Sequence, residues 1–176
     1  MAEVDKTGEA SEEKLSEPQT LSQAHDVSCF DCGQPSLNDW LRDRALTNES
    51  RFSRTYVVCS GGRVVAYFCI AAGAVERAAA PGRLRRNAPD VIPVSVIGRL
   101  AVDQSFQGKG LGADILSDAL RRIAIASQTI GISAVLVHAK DENAKRFYMN
   151  CAEFKEFPEG SRTLFLPIET LIAAFS

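Results

Sequence analysis

A chain of 176 residues is long enough for one domain with a proper core, and it holds no apolar run that would serve as a signal peptide or a membrane span. Its 5 cysteines (Cys29, Cys32, Cys59, Cys69, Cys151) are scattered and odd in number, which argues against a disulfide framework and for a reducing, cytoplasmic setting. The net charge is only −2 but is unevenly spread.

Residues 1–20 carry Glu3, Asp5, Glu9, Glu12, Glu13 and Glu17 against Lys6 and Lys14, with almost no apolar side chains. They read as a disordered acidic arm, with a single folded domain over residues 21–176. Cys29-Phe30-Asp31-Cys32, four residues after His25, has half the spacing of a zinc site, but a structural zinc takes four ligands and no second pair stands nearby. No metal is expected. Ser36-Leu37-Asn38-Asp39 reads as a capping box with Asp in place of Glu, opening a helix whose stripe is Leu37, Trp40 and Leu41.

Two strands follow at residues 55–59 and 64–72, joined through Gly61-Gly62 as a hairpin. Residues 73–93, rich in Ala, Arg and Pro, read as an irregular or short helical insertion. An apolar strand at 94–102 runs into glycines 108, 110 and 112, after which residues 111–126 are amphipathic, with Leu111, Ile115, Ala119, Ile123 and Ala126 along one side. A buried-type strand at 133–138, a helix spanning 143–148 and a strand at 162–166 complete the chain. His138 ends its strand where a base or water-holder could sit, and reads first as a structural histidine.

The glycine loop carries the first chemistry. Glycine lets backbone N–H groups approach a ligand closely, and a helix N-terminus adds unpaired donors at the positive end of a dipole. A strand that delivers such a loop onto a helix makes a pyrophosphate cradle. Neither the dinucleotide pattern G-x-G-x-x-G nor the P-loop pattern G-x-x-x-x-G-K-[ST] fits, because Lys109 is followed by glycine. Gln107-Gly108-Lys109-Gly110-Leu111-Gly112 fits Q/R-x-x-G-x-G/A instead, and here the chain resembles the GNAT family of acetyl-CoA-dependent N-acetyltransferases.

A second motif extends the resemblance. In Asp141-Glu142-Asn143-Ala144-Lys145-Arg146-Phe147-Tyr148, Asp141 can cap a helix on which Ala144, Phe147, Tyr148 and Cys151 share one face. Phe154 falls one position from where that family usually has Gly-Phe. The resemblance implies a single-domain α/β GNAT fold, a mixed, mostly antiparallel central sheet flanked by helices. It implies acetyl-CoA as co-substrate, its pyrophosphate held by the backbone of Gln107, Gly108, Lys109, Gly110, Leu111 and Gly112, and its pantetheine by Leu100-Ala101-Val102 and Asn143. Phe147 would wall the thioester pocket and Tyr148 would act as general acid.

Elementary acid–base chemistry narrows the acceptor. An α-amine of pKa ~7.7–8.0 is roughly a tenth neutral at pH 7, whereas a lysine at ~10.4 is neutral below one part in a thousand. An α-amine asks for little base catalysis, which suits a chain with only 2 histidines. A phenol of pKa ~10 can hydrogen-bond or protonate a thiolate of pKa ~8.5, the proton transfer being uphill by about 2 kcal/mol.

Further stretches, Phe30-Asp31-Cys32-Gly33, Leu37-Asn38-Asp39-Trp40-Leu41, Gly98 to Asp103, Val137 to Lys140 and Arg162 to Leu166, resemble the acetyltransferase toxins of bacterial type II toxin–antitoxin systems. Those enzymes acetylate the α-amine of aminoacyl-tRNA and stop translation. The resemblance implies an aminoacyl-tRNA substrate, a ribbon-helix-helix antitoxin and a homodimer, away from membranes. Arg77, Arg83, Arg85 and Arg86 crowd the insertion near only Glu76 and Asp90, and are the candidate tRNA-binding residues; Arg42, Arg44, Arg51 and Arg54 form a second basic cluster. Arg99, on an apolar strand, needs a partner and reads as an anchor of structure or of the active-site mouth. Two other readings share these residues: an acetyltransferase for a protein α-amine or a small amine, and a non-catalytic acetyl-CoA-binding module.

Overall fold

The structure, a computed structural model, describes residues 14–176. Among these residues seven strands form one sheet in the order β1-β2-β3-β4-β5-β7-β6. They are β1 (Gln19–Thr20), β2 (Arg54–Ser60), β3 (Arg63–Glu76), β4 (Val91–Val102), β5 (Ala134–His138), β6 (Lys155–Glu156) and β7 (Thr163–Pro167). Every neighbouring pair is antiparallel except β4 and β5. A parallel pair needs a crossover, and it is supplied by α4 (Leu111–Ala126). The other helices are α1 (Pro35–Asp43), α2 (Ala45–Asn48), α3 (Gly82–Arg85), α5 (Glu142–Cys151) and α6 (Ile168–Ala174). No helix among the described residues is long and apolar enough to cross a membrane.

Strand alternation sorts the core into two layers. On one face Phe68, Ile97, Val135, Val137 and Leu164 receive α4 through Ile115, Ala119 and Ile123, together with Tyr148 of α5. On the other, Tyr67, Val57 and Phe30 lie under Leu41 of α1, while Ala80 and Leu84 cover Ile92, Val94, Leu136 and Phe165 farther along. The α4 helix has the bounds its periodicity implies, but its buried stripe is wider. Leu116, Leu120 and Ala124 add a second row, and Ala126 is exposed.

Several expectations need correction. The insertion is shorter than residues 73–93, because β3 continues to Glu76 and pairs through Gly73↔Val94 to Glu76↔Val91. A Cβ on Gly73 would lie 2.7 Å from Val96, so glycine is what lets these strands approach. Helix α1 is not opened by a Ser36 box: Gln34 is its N-cap, without a side-chain cap bond, and Pro35 takes the first turn, where its fixed φ and missing N–H do no harm. Asp39 instead pairs with Arg42. The boundary at residue 20 also moves. Leu15 bridges Ser60 and β1 pairs with β2, while Arg122, ion-paired to Asp118, donates to the Pro18 carbonyl at 3.2 Å and lies 4.0 Å over the Tyr56 ring. Residues 1–13 of the acidic arm lie outside the described residues.

Asp103 joins the loop before α1 to the end of β4. Its carboxylate, 6% exposed, accepts the Ser105 N–H (3.0 Å), the Ser105 hydroxyl (2.6 Å) and the Asp31 N–H (3.0 Å). Asp31 accepts the Gly33 N–H and the Asn38 side-chain amide, and Asn38 accepts the Cys32 N–H. The Cys29–Cys32 stretch is thus a docked loop, with both thiols free. Burial by itself would raise the Asp103 carboxyl, but the bonds from Ser105 and Asp31, with the positive charge of Arg63, outweigh it and hold the group below its ordinary value. A depressed folded value contributes stability above the unfolded pKa of ~3.9, lost as pH falls through the folded value. Asp103→Ala, which strands these donors, is expected to lower stability by about 1–3 kcal/mol at neutral pH, and the deficit should shrink below about pH 4. Urea unfolding across a pH series checks both; a deficit that stays constant into acid would rule out the charge as its source.

Candidate active site

The site begins where two strands part. Strand β4 pairs with β5 only from Val94↔Ala134 to Val96↔Leu136, yet it runs on to Val102. Among the described residues no strand pairs with residues 97–102 on that side, so the backbone groups they turn to it are left without a strand partner, the Val102 carbonyl being taken by a side chain. The parting coincides with a bulge: Ile97 pairs with Ile70 and Arg99 with Cys69, which leaves Gly98 unmatched. A Cβ at Gly98 would press to 3.2 Å on the Cys69 sulfur.

Past Val102 the chain makes a short 3₁₀ turn over Gln104–Phe106 and enters the glycine loop. Gly108 (φ 76°) and Gly110 (φ 84°) occupy the left-handed region that side chains disfavour, and the space where their Cβ atoms would stand is empty. Gly110 is the N-cap of α4 and makes no side-chain cap bond. The N–H groups of residues 108–113 have no partner among the described residues. Gly108 and residues 110–113 border a cavity of about 240 Å³ together with Val102, Phe106 and Phe147. The Gln107 side chain pins the loop from below, donating to the carbonyls of Val102 (2.8 Å) and Cys32 (3.1 Å). Gly112 differs from its two neighbours: a Cβ there would make ordinary contacts, 3.5 Å to the Phe147 ring and 3.8 Å to Val102. Lys109 is exposed, its ammonium 5.4 Å from the Phe106 ring centroid.

The second wall is α5. Asp141 caps it, accepting the Ala144 N–H at 2.8 Å as its sequence implies. Asn143 is exposed and its side-chain oxygen accepts from Arg146. Phe147 is half-buried and Tyr148 is 8% exposed, its ring edge-on to Phe147 (5.3 Å) and to Phe154 (5.9 Å). The helix ends at Cys151, and an extended Ala152 turns the chain so that Phe154 still reaches that ring. Cys151, expected on the buried face, is exposed. The Tyr148 hydroxyl has no hydrogen-bond partner among the described residues. Burial above all, with Cys69 and Cys151 nearby, pushes its phenol well above the ordinary value, so it stays protonated at neutral pH.

Other candidates separate in space. Side-chain alternation along β5 puts His138 on the sheet face opposite α5, exposed, with Nδ1 3.1 Å from the Thr163 hydroxyl. Arg77 closes the insertion, ion-paired to Asp90 (3.0 Å) and donating to Ala88. Arg83, Arg85 and Arg86 are exposed on and after α3. Sequence reasoning missed three elements: the Gln107 side-chain clamp, the Asp31–Asp103 joint and the partner of Arg99. That partner is a ring. The guanidinium lies 4.2 Å over the centroid of Trp40, a pairing for which no sequence spacing is diagnostic.

Residues 51–151 match the acetyltransferase (GNAT) domain family. The chain is 48% identical over 136 residues to the tRNA-acetylating toxin of Mycobacterium tuberculosis, covering 77% of this chain and 82% of the relative. It superposes with TM-score 0.83 and 29% identity on AtaT complexed with acetyl-methionyl-tRNAfMet, over 93% of this chain and 100% of the other. A tyrosine-to-phenylalanine mutant of AtaT bound to the C-terminus of its antitoxin AtaR and to acetyl-CoA superposes with TM-score 0.78 and 29% identity, over 92% and 98%. With a strand-loop-helix cradle, a parting of β4 from β5 and the matching sequence, the chain belongs to the GNAT family of acetyl-CoA-dependent acetyltransferases.

Proposed function

We propose that this acetyltransferase modifies the α-amine of aminoacyl-tRNA and so blocks translation in the cytoplasm. The observation that carries the reading is the 48% identity to a tRNA-acetylating toxin. The open backbone of residues 97–102 and the row of free amides at 108–113 support it, because together they offer a strip of donors and acceptors that ends in an anion site. Acetyl-CoA supplies an activated acetyl group as a thioester. The amides around Gln107, Gly108, Lys109, Gly110, Leu111 and Gly112 take its pyrophosphate, Leu100-Ala101-Val102 and Asn143 hold the pantetheine, and Phe147 walls the pocket.

The transfer forms an N–C bond and breaks the C–S bond; the amine gives up a proton and the sulfur gains one. At neutral pH an α-amine is about a tenth neutral, so the chain need not supply a strong base. Tyr148 faces the departing sulfur. Because burial raises its phenol, full proton transfer to a thiolate of pKa ~8.5 is uphill by more than the ~2 kcal/mol of an ordinary tyrosine. Its chief contribution is therefore a hydrogen bond to the developing negative charge.

The exposed Arg83, Arg85 and Arg86 attract tRNA phosphate, while Arg77 is committed to Asp90 and holds the insertion closed. A host survives such an enzyme only if a partner restrains it. A ribbon-helix-helix antitoxin with an acidic tail complements the basic surface, and the likeness to AtaT bound to the C-terminus of the antitoxin AtaR supports an antitoxin partner; the toxin itself is read as a homodimer.

Three experiments test this reading. Gly110→Val forces a β-branched residue into the left-handed region and should weaken acetyl-CoA binding at least tenfold by calorimetry, at a stability loss of about 1–2 kcal/mol. Unchanged affinity would move the cofactor away from this loop. Tyr148→Phe should keep acetyl-CoA affinity and lower acetylation of charged tRNA by roughly 10²–10⁴, and should abolish growth arrest on induction; near-normal turnover returns Tyr148 to a packing role. Reversing Arg83, Arg85 and Arg86 to Glu should weaken use of charged tRNA and flatten the slope of log kcat/KM against log salt by up to about 2–3, leaving acetyl-CoA affinity unchanged. A parent that is harmless when expressed alone, with a triple variant equal to it at every salt concentration, would leave only a plain amine acetyltransferase.

A further inference from the structure

Arg99 is a cation prepared for an anion that this chain does not itself provide. It follows the Gly98 bulge, pairs in register with Cys69, and lies on the face of the sheet that carries α1, opposite α4 and α5. It is half-buried, and among the described residues no carboxylate lies within 4 Å of its guanidinium. Its polar neighbour is the Cys69 thiol. Burial pushes that thiol up despite the adjacent Arg99, so it brings no countercharge.

What holds the guanidinium is an aromatic shelf. Trp40 lies beneath it and is stacked on Tyr67 at 6.0 Å and 13°. Tyr67 is fully buried, edge-on to Phe30 at 5.4 Å, and its hydroxyl donates to the Leu37 carbonyl at 2.7 Å. Stacking uses the flat face of the guanidinium and leaves the N–H donors on its rim free, the arrangement suited to gripping a phosphate with two parallel hydrogen bonds. The coenzyme's pyrophosphate is not the candidate. Its cradle starts beyond Val102, about 10 Å along the strand at ~3.3 Å per residue, and opens beside α4. The parting of the strands is nearer: Arg99 stands three residues past Val96, the last residue of β4 that pairs with β5, and across from Cys69 of β3.

We propose that Arg99, presented on the Trp40–Tyr67 shelf, is a substrate-positioning residue that binds the phosphate closest to the amine-bearing end of the acceptor. This rests on the aminoacyl-tRNA reading, in which that phosphate joins the terminal nucleoside, one ribose away from the aminoacyl group.

The test uses the full chain and a stable acceptor, 3′-aminoacylamino-3′-deoxyadenosine, with and without a 5′-phosphate, alongside charged tRNA. The wild-type protein should favour the phosphorylated compound about tenfold or more in kcat/KM, the range of a charge-assisted hydrogen-bond pair. Arg99→Gln should erase that preference, falling on the phosphorylated compound and on charged tRNA while staying within about threefold on the unphosphorylated one. Arg99→Lys, which keeps the charge without the planar fork, should keep part of the preference and report that the fold tolerates substitution here. An equal loss on both compounds, or a wild-type enzyme that acetylates charged tRNA yet gains nothing from the 5′-phosphate, overturns the subsite alone. A wild-type enzyme that leaves charged tRNA unmodified overturns the tRNA reading and the subsite with it.

Discussion

Strand β4 keeps its parallel partner for three residues and then leaves it, and the site exists because of that departure. On its other edge β4 stays bonded to β3 from Glu76↔Val91 to Ala66↔Val102, with one shift at Gly98. Strand β5 is likewise held to β7 as far as His138↔Thr163. Each strand is anchored by its outer neighbour, so the inner edges can separate without unravelling the sheet. Bare strand edges carry unpaired donors and acceptors, and beyond Val96 the β4 edge is such an edge.

The two faces of the sheet carry different groups. Helices α4 and α5 occupy one face, with the free amides of the glycine loop at the start of α4 and the buried Tyr148 on α5. The other face carries α1 with the Trp40–Arg99 stack, and the arginine-bearing insertion over Ile92 and Leu136.

Holding the loop at the mouth of this gap falls to a polar network rather than to the core. Asp103, Asp31, Asn38 and Gln107 tie the segment before α1 to the end of β4 and to the glycine loop. Each buried polar atom in this set has a partner, which is the condition under which such networks add rigidity instead of strain. The Cys-x-x-Cys pattern at residues 29–32 belongs to this joint. Neither cysteine is in a disulfide, and it is the backbone of Cys32, not a thiol, that joins the network, donating to Asn38 and accepting from Gln107.

Local signals made part of this legible without coordinates. Periodicity placed α4, Gly61-Gly62 turned the β2–β3 hairpin, Asp141 capped α5, and the glycine spacing marked the loop whose amides are free. Each of these depends on residues close in the chain. Short or marginal elements escaped: β1 and β6 are two residues each, and α2 and α3 four each, too short to show a period. The extension of β3 to Glu76 was hidden because its residues are stabilised by β4, not by their own propensity. Within the site, glycine content alone could not separate Gly108 and Gly110, set by a left-handed backbone, from Gly112, set by its place against Phe147. Nor could an arginine count separate Arg77, spent on Asp90, from its exposed neighbours. By itself, then, the sequence determined the glycine loop, the helix it opens and the phenol-bearing helix, because spacing along one chain dictates local backbone geometry. Only the tertiary structure decided where β4 leaves β5, which face His138 takes, and that Arg99 rests on Trp40 rather than on a carboxylate. Those outcomes depend on contacts between residues tens of positions apart, whose energies no local pattern encodes.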